Sequence, residues 1–196
     1  MDALQNYYKN SLLNNLCKEY KGEWQSCHND KSKLMELVLR RQSLPHFMTY
    51  AHNGCGITKE YAKTHFKDYL NGNKVFIDVD GVKGDYTSGM YIDYDSDEVV
   101  EINLNTCAIL WCKDMNISVP TTMCPFFYIS NDSDVNISLD GFNYVSIYLF
   151  DNSKVTIDDA DEDSKVVIYK YSDKAQVELG KYCLADVKVF NKKLKL

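Results

Sequence analysis

A repeat of about 20–21 residues in the C-terminal half constrains this chain most, because a fixed period limits the fold to stacked or meandering units. Val145-Ser146-Ile147-Tyr148 aligns with Val166-Val167-Ile168-Tyr169, 21 residues on, and with Val187-Lys188-Val189-Phe190, 21 further. A second unit alternates with it. Ser133-Asp134-Val135-Asn136-Ile137 matches Ser153-Lys154-Val155-Thr156-Ile157, 20 residues later. Met115-Asn116-Ile117 precedes that pair and Val177-Glu178-Leu179 follows it. Interleaved, the apolar anchors stand at 115, 125, 135, 145, 155, 166, 177 and 187. Each opens a short alternating strand, and a turn rich in Asp, Asn and Ser follows most of them.

Two architectures place a strand about every ten residues: an antiparallel meander or sandwich, and a β-solenoid with two strands per coil. Alternate units match better than neighbours, which favours the solenoid. There, equivalent positions one coil apart stack at about 4.8 Å, so like sits on like. The expected ladders put Val on Val, Ile on Ile, and Tyr128 and Tyr148 on Tyr169 and Phe190. Asp132, Asn152 and Asp173 then line one corner, where Asn and Asp tolerate turn dihedrals. The fold expected over 105–196 is a short solenoid of roughly four coils, with the meander or sandwich as the alternative and handedness open. Open solenoid ends must be covered or charged. The closing Asn191-Lys-Lys-Leu-Lys-Leu196 fits a charged end.

The first 73 residues carry helical spacing instead. Leu4, Tyr7, Tyr8, Leu12, Leu13 and Leu16 share a face over 2–20, and Gly22 is the expected stop. Asp30 is placed to cap a helix over 31–43, and Pro45 lies past its end. A short helix over 46–53 precedes Gly54, and Thr58 is placed to cap a helix over 58–70. Residues 74–104 change character: Val75, Ile77 and Val79 alternate with polar residues before Asp80-Gly81, a hairpin or small meander signal. The chain thus divides into a helical cap region (1–73), a β-hairpin or meander (74–104) and the solenoid (105–196), an α+β fold. The helices and the hairpin are expected to cover the solenoid's first end.

Net charge is −6, unevenly spread. Residues 1–74 hold 11 basic and 7 acidic side chains (+4), 75–163 hold 3 and 18 (−15), and 164–196 hold 8 and 3 (+5). That map lacks the basic stripe of broad nucleic-acid binding. It suits a steered protein partner, including a second copy of the chain, so a homo-oligomer is expected. Seven irregularly spaced cysteines and a polar N-terminus without an apolar h-region point to free thiols in a cytoplasmic setting. No apolar run approaches the length of a membrane helix.

Sites of chemistry are sparse. Asp93-Tyr-Asp95-Ser-Asp97-Glu98 resembles a calcium loop only in charge. The sixth and twelfth positions are Glu98 and Leu104, where Gly and Glu are required. A cluster of Asp78, Asp80 and Asp93 would be the remaining route to a divalent cation. Cys27-His28 and His52-Asn-Gly-Cys55 do not repeat at zinc-ligand spacing. Cys55, between glycines and ahead of a helix, pairs with His52 or His65 as the one thiol-nucleophile arrangement. Against it, His65 falls on an apolar helix face. No phosphate-binding loop, dinucleotide fingerprint or hydrolase elbow occurs. No catalytic residue, metal or cofactor is therefore assigned.

The aromatic content favours a binding surface. Of fifteen tyrosines, Tyr148, Tyr169 and Tyr171, together with Phe150, sit in the repeat where one strand face must be core and the other outward. An outward stripe of these four would be one candidate surface, unless helices cover it. The acidic group Asp93, Asp95, Asp97 and Glu98 is the other.

The stretch from Leu34 to Leu70, including LPHFMTYAHNGCGITKEY, resembles uncharacterised proteins of gut Bacteroidales phages and prophages. So does the run YLFDNSKVTIDDADEDSKVVIYKYSDKAQVELGKYCL. The resemblance covers most of the chain. It implies a phage or mobile-element setting and transfers no catalytic residue. The expected role is a non-enzymatic protein-binding protein in the bacterial host cell, one that inhibits a host factor. The alternatives are a virion structural or accessory protein, and an enzyme built on Cys55 or on Asp78, Asp80 and Asp93.

Overall fold

A computed structural model describes residues 5–6, 8–9, 12, 18–50, 57–66, 75–77, 89–95, 97–159, 163–181 and 183–190. Alternating apolar residues drive the C-terminal part into two parallel sheets. The first contains β1 (Val75–Ile77), β2 (Gly89–Ile92), β4 (Thr106–Leu110), β6 (Phe126–Ser130), β8 (Tyr144–Leu149), β10 (Lys165–Lys170) and β12 (Ala185–Val189), neighbours in that order. The second contains β3 (Val99–Glu101), β5 (Met115–Val119), β7 (Asp134–Leu139), β9 (Lys154–Asp159) and β11 (Gln176–Leu179). The chain passes from one sheet to the other and back in each coil. This is a parallel β-solenoid of about five turns.

The expected ladders form. Ile117, Ile137 and Ile157 stack in register, as do Met115, Val135 and Val155. On the facing sheet Val145 and Ile147 lie beside Val166 and Ile168. Their inward side chains make one buried core between the sheets, with Cys107, Cys112 and Phe127 in it. A parallel ladder also lets polar residues pair with their own kind: Asn136 Nδ2 donates to Asn116 Oδ1 at 3.1 Å on the outer face of the second sheet.

Two strand expectations need correction. Residues 75–92 are not a hairpin: β1 pairs with β2 in parallel, and β3 belongs to the other sheet beside β5. The solenoid therefore begins inside 74–104. Alternation in short strands is the same for parallel and antiparallel partners, so the pattern does not set direction. The last coil also sits two residues from its expected register. Val187 lies opposite Ile168 and Lys188 opposite Tyr169, not Val187 opposite Val166. A two-residue slip keeps every side chain on its face, which makes it invisible to alternation.

The corners are built from left-handed residues. Asp93 (φ 52°), Trp111 (φ 57°), Asn131 (φ 58°) and Asp151 (φ 52°) occupy the same corner in successive coils. Asn and Asp accept this conformation. Of the expected corner residues, Asp132 is left-handed (φ 59°), while in the next coil the role falls to Asp151 and not Asn152. Buried hydroxyls close the same corner from inside. Ser133 Oγ donates to Ser130 O (2.6 Å) and accepts from Cys112 N (3.2 Å), and Ser153 Oγ bonds the carbonyl of Phe150. At a second corner Gly141 (φ 66°) lies under Thr121. A Cβ there would meet Thr121 Oγ1 at 2.6 Å.

The helices are α1 (Lys18–Ser26), α2 (Lys31–Val38), α3 (Leu44–Tyr50) and α4 (Lys59–His65). Asp30 and Thr58 cap α2 and α4 through their side chains, accepting from Ser32 and Lys33 N–H and from Tyr61 N–H respectively. Gly22 does not stop α1. The helix continues to Ser26 and ends at the left-handed pair His28 and Asn29, because Trp24 and Cys27 bury beyond the glycine. The helices pack on the outer face of the first sheet, in a second core joining Leu34, Leu44, Phe47 and Met48 to Met90, Ile92, Ala108 and Leu110. The closing run 191–196 lies outside the described residues.

Candidate functional site

Residues 128, 148 and 169 face outward from adjacent strands of the first sheet, and parallel register puts them one above another. Tyr128 and Tyr148 stack with ring centroids 4.7 Å apart, and Tyr148 and Tyr169 repeat that spacing. It is the separation of hydrogen-bonded strands, so backbone pairing and ring stacking satisfy one another. A second column stands beside it. Phe150 stacks on Tyr171 at 5.2 Å, and Tyr171 on Phe190 at 5.2 Å. The four residues expected to form an aromatic stripe thus come together on one face, joined by Tyr128 and Phe190.

The stripe is covered at one end and open at the other. Tyr128 and Phe150 are buried in the core shared with the helices, and Tyr148 and Tyr171 are partly buried against it. Tyr169 is half-buried, and Phe190, beyond the helices, is 42% exposed. Among the described residues, helices lie over the first coils of the stripe, and Phe190 in the last coil is exposed. Burial first, then neighbouring phenols, pushes the Tyr148 and Tyr171 hydroxyls up, so both stay neutral. A basic side chain borders the open end. Lys188 is exposed, and its Nζ lies 5.4 Å from the centre of the Tyr169 ring.

The acidic group lies elsewhere. Asp93, Asp95, Asp97 and Glu98 follow β2, three strands from Phe150 and thus about 14 Å along the solenoid. Asp95, Asp97 and Glu98 are exposed. Asp93 differs: its carboxylate joins Lys59 and, at 2.6 Å, Lys63 of α4. Burial raises its pKa, but the hydrogen bonds and charges of the two lysines outweigh it and hold the carboxyl below the ordinary Asp value. The residue expected to belong to an acidic surface instead fastens a helix to the first coils. Alternation and charge counts carry no signal for that contact, which spans 30 residues.

The other chemical candidates are partly placed. His52, Cys55, Asp78 and Asp80 lie outside the described residues. His65 is half-buried, with Nδ1 3.1 Å from Lys31 Nζ and its ring 4.1 Å from Tyr61. Cys107 and Cys112 are core residues as expected, and burial pushes the Cys112 thiol up to about 12. Cys27, Cys107, Cys112 and Cys124 are free thiols. Among the described residues no three of His, Cys, Asp and Glu gather as metal ligands, and no helix is long and apolar enough to cross a membrane. No protein-family model, curated protein or solved structure matches the chain.

Proposed function

We propose that this protein is a non-enzymatic binding module that holds a protein partner on the open end of its aromatic stripe. The observation supporting this reading is the continuity of the stripe. Tyr128 and Phe150 are covered by the chain's own helices, and the same columns run on through Tyr169 and Tyr171 to exposed Phe190. The outer face of the first sheet, which accepts the apolar face of α3 in the earlier coils, continues there with no helix above it among the described residues. A partner's amphipathic helix fits that place, its apolar face on the rings. Lys188 beside the Tyr169 ring favours an acidic flank on that helix. In the phage setting that the resemblance implies, the partner is a host protein and binding inhibits it.

The test is photo-crosslinking in the bacterial host. A benzophenone amino acid replaces Tyr169, keeping an aromatic ring in the ladder, and in a control it replaces Ser138 on the outer face of the second sheet. The expected result is one discrete adduct from position 169, of a mass other than twice the chain's own, and none from position 138. Equal labelling from both positions, or none from 169, overturns the reading.

A further inference from the structure

The first sheet ends at β12, and among the described residues no strand pairs with its far side. The open edge is the segment Leu184-Ala185-Asp186-Val187-Lys188-Val189-Phe190. It carries apolar side chains in water: Leu184 is 79% exposed, and Val187, Val189 and Phe190 are also exposed. Phe190 N–H donates to Lys170 O at 2.7 Å. By strand alternation, residues 186 and 188 also turn their N–H and C=O to β10, and Ala185, Val187 and Val189 present theirs to the open side.

This segment is complementary to itself read backwards about Val187. Position 186 would face 188, Asp against Lys; 185 would face 189, Ala against Val; and 184 would face 190, Leu against Phe. We infer that the protein dimerises through β12, two copies pairing antiparallel about a twofold axis at Val187. Because Val187 points its backbone outward, Val187 meets its counterpart as a hydrogen-bonded pair, as do 185 and 189. The Asp186–Lys188 pairs then occupy the non-hydrogen-bonded positions, where side chains come closest. Within one copy Lys188 Nζ already lies 3.4 Å from Asp186, so pairing would join two such ion pairs across the axis. An axis perpendicular to the sheet keeps inner faces together, so Val187 and Val189 extend both cores.

The register is selective. Centred on Lys188 the pairing sets lysine on lysine; centred on Asp186 it sets aspartate on aspartate. A one-residue slip turns one copy's inner face outward. Head-to-tail stacking lacks a matching edge, because all three residues of short β1 at the other end are buried. An isologous contact closes with two copies and forms no filament. The inference rests on β12 and is independent of the partner-binding reading.

Sedimentation equilibrium on the full chain tests it. The expected result is a concentration-dependent dimer. Asp186→Lys places lysine opposite lysine at both symmetric positions and is expected to weaken the dimer about tenfold. Adding Lys188→Asp restores the opposite-charge pairs and returns the affinity to within about threefold of the parent. Val187→Pro removes an N–H that only the second copy uses. It is expected to abolish the dimer while the monomer's circular dichroism and melting at low concentration stay close to the parent's. A monomer up to the solubility limit overturns the inference. So does a dimer indifferent to both Asp186→Lys and Val187→Pro, or a double variant that stays as weak as Asp186→Lys alone.

Discussion

Asp93 combines two roles that a smaller or uncharged residue would not. Its left-handed φ of 52° shapes a corner, and its carboxylate receives Lys59 and Lys63. Asp93→Asn separates them, since asparagine accepts the same backbone conformation. The loss expected is about 1 kcal/mol, because the lysines are partly exposed. The contribution is also pH-dependent. The folded carboxyl titrates below its unfolded value, so stabilisation is complete above the unfolded pKa of about 3.9 and is lost as pH falls through the lower folded value. Urea melts of parent and Asp93→Asn should therefore differ at pH 6 and converge in acid; a constant gap would assign the effect to backbone or packing. Trp111 stands at the equivalent corner with φ 57° although its side chain gives no help there. Its ring packs on the helix core instead, a case of tertiary burial overriding local preference.

At the scale of the element, each ladder is as strong as the coils on either side of it. Ile137 lies between Ile117 and Ile157 and is 1% exposed, while Leu179 ends the same ladder at 41%. Ile137→Ala is expected to cost about 3 kcal/mol and Leu179→Ala below about 1 kcal/mol, read from denaturant midpoints. Equal losses would mean that the terminal coil is packed as tightly as the middle. The ladders were legible in the sequence because stacking like on like repeats residue types at the coil length. The register of β12 was not, since its coil departs from that length and alternation tolerates a two-residue slip. The aromatic columns were legible for the same reason as the aliphatic ones. Their partial cover was not, because nothing in a helix's own spacing says which sheet it will meet.

At the scale of the molecule, a solenoid behaves as a row of coils in which each contacts its neighbours, so stability is graded along it. Native-state hydrogen exchange should find the amides of β5, β7 and β8 slowest and those of β11 and β12 fastest among the strands of 105–190. Raising the protein concentration should selectively slow Val187 and Val189, whose amides face the open edge. Uniform exchange along the solenoid would show a single cooperative unit. The helices add to this gradient, since they thicken the first coils with a second core and leave the last ones as a two-sheet layer. The molecule therefore has a protected half and an open half. The open end of the stripe and the self-complementary strand both lie in the open half.

Local and periodic properties were decided by the sequence itself: the coil repeat, the inward and outward faces, the caps at Asp30 and Thr58, the aromatic stripe, and the core position of Cys107 and Cys112. Each rests on interactions between residues close in the chain or one coil apart, so their spacing records them. Tertiary structure alone decided the rest. It set the parallel start at β1 and β2, placed the helices on the sheet face, drew Asp93 out of the acidic surface into the α4 contact, and left β12 with no second partner strand among the described residues. These follow from which distant surfaces bury each other best, a property of the assembled faces and not of the spacing within any segment.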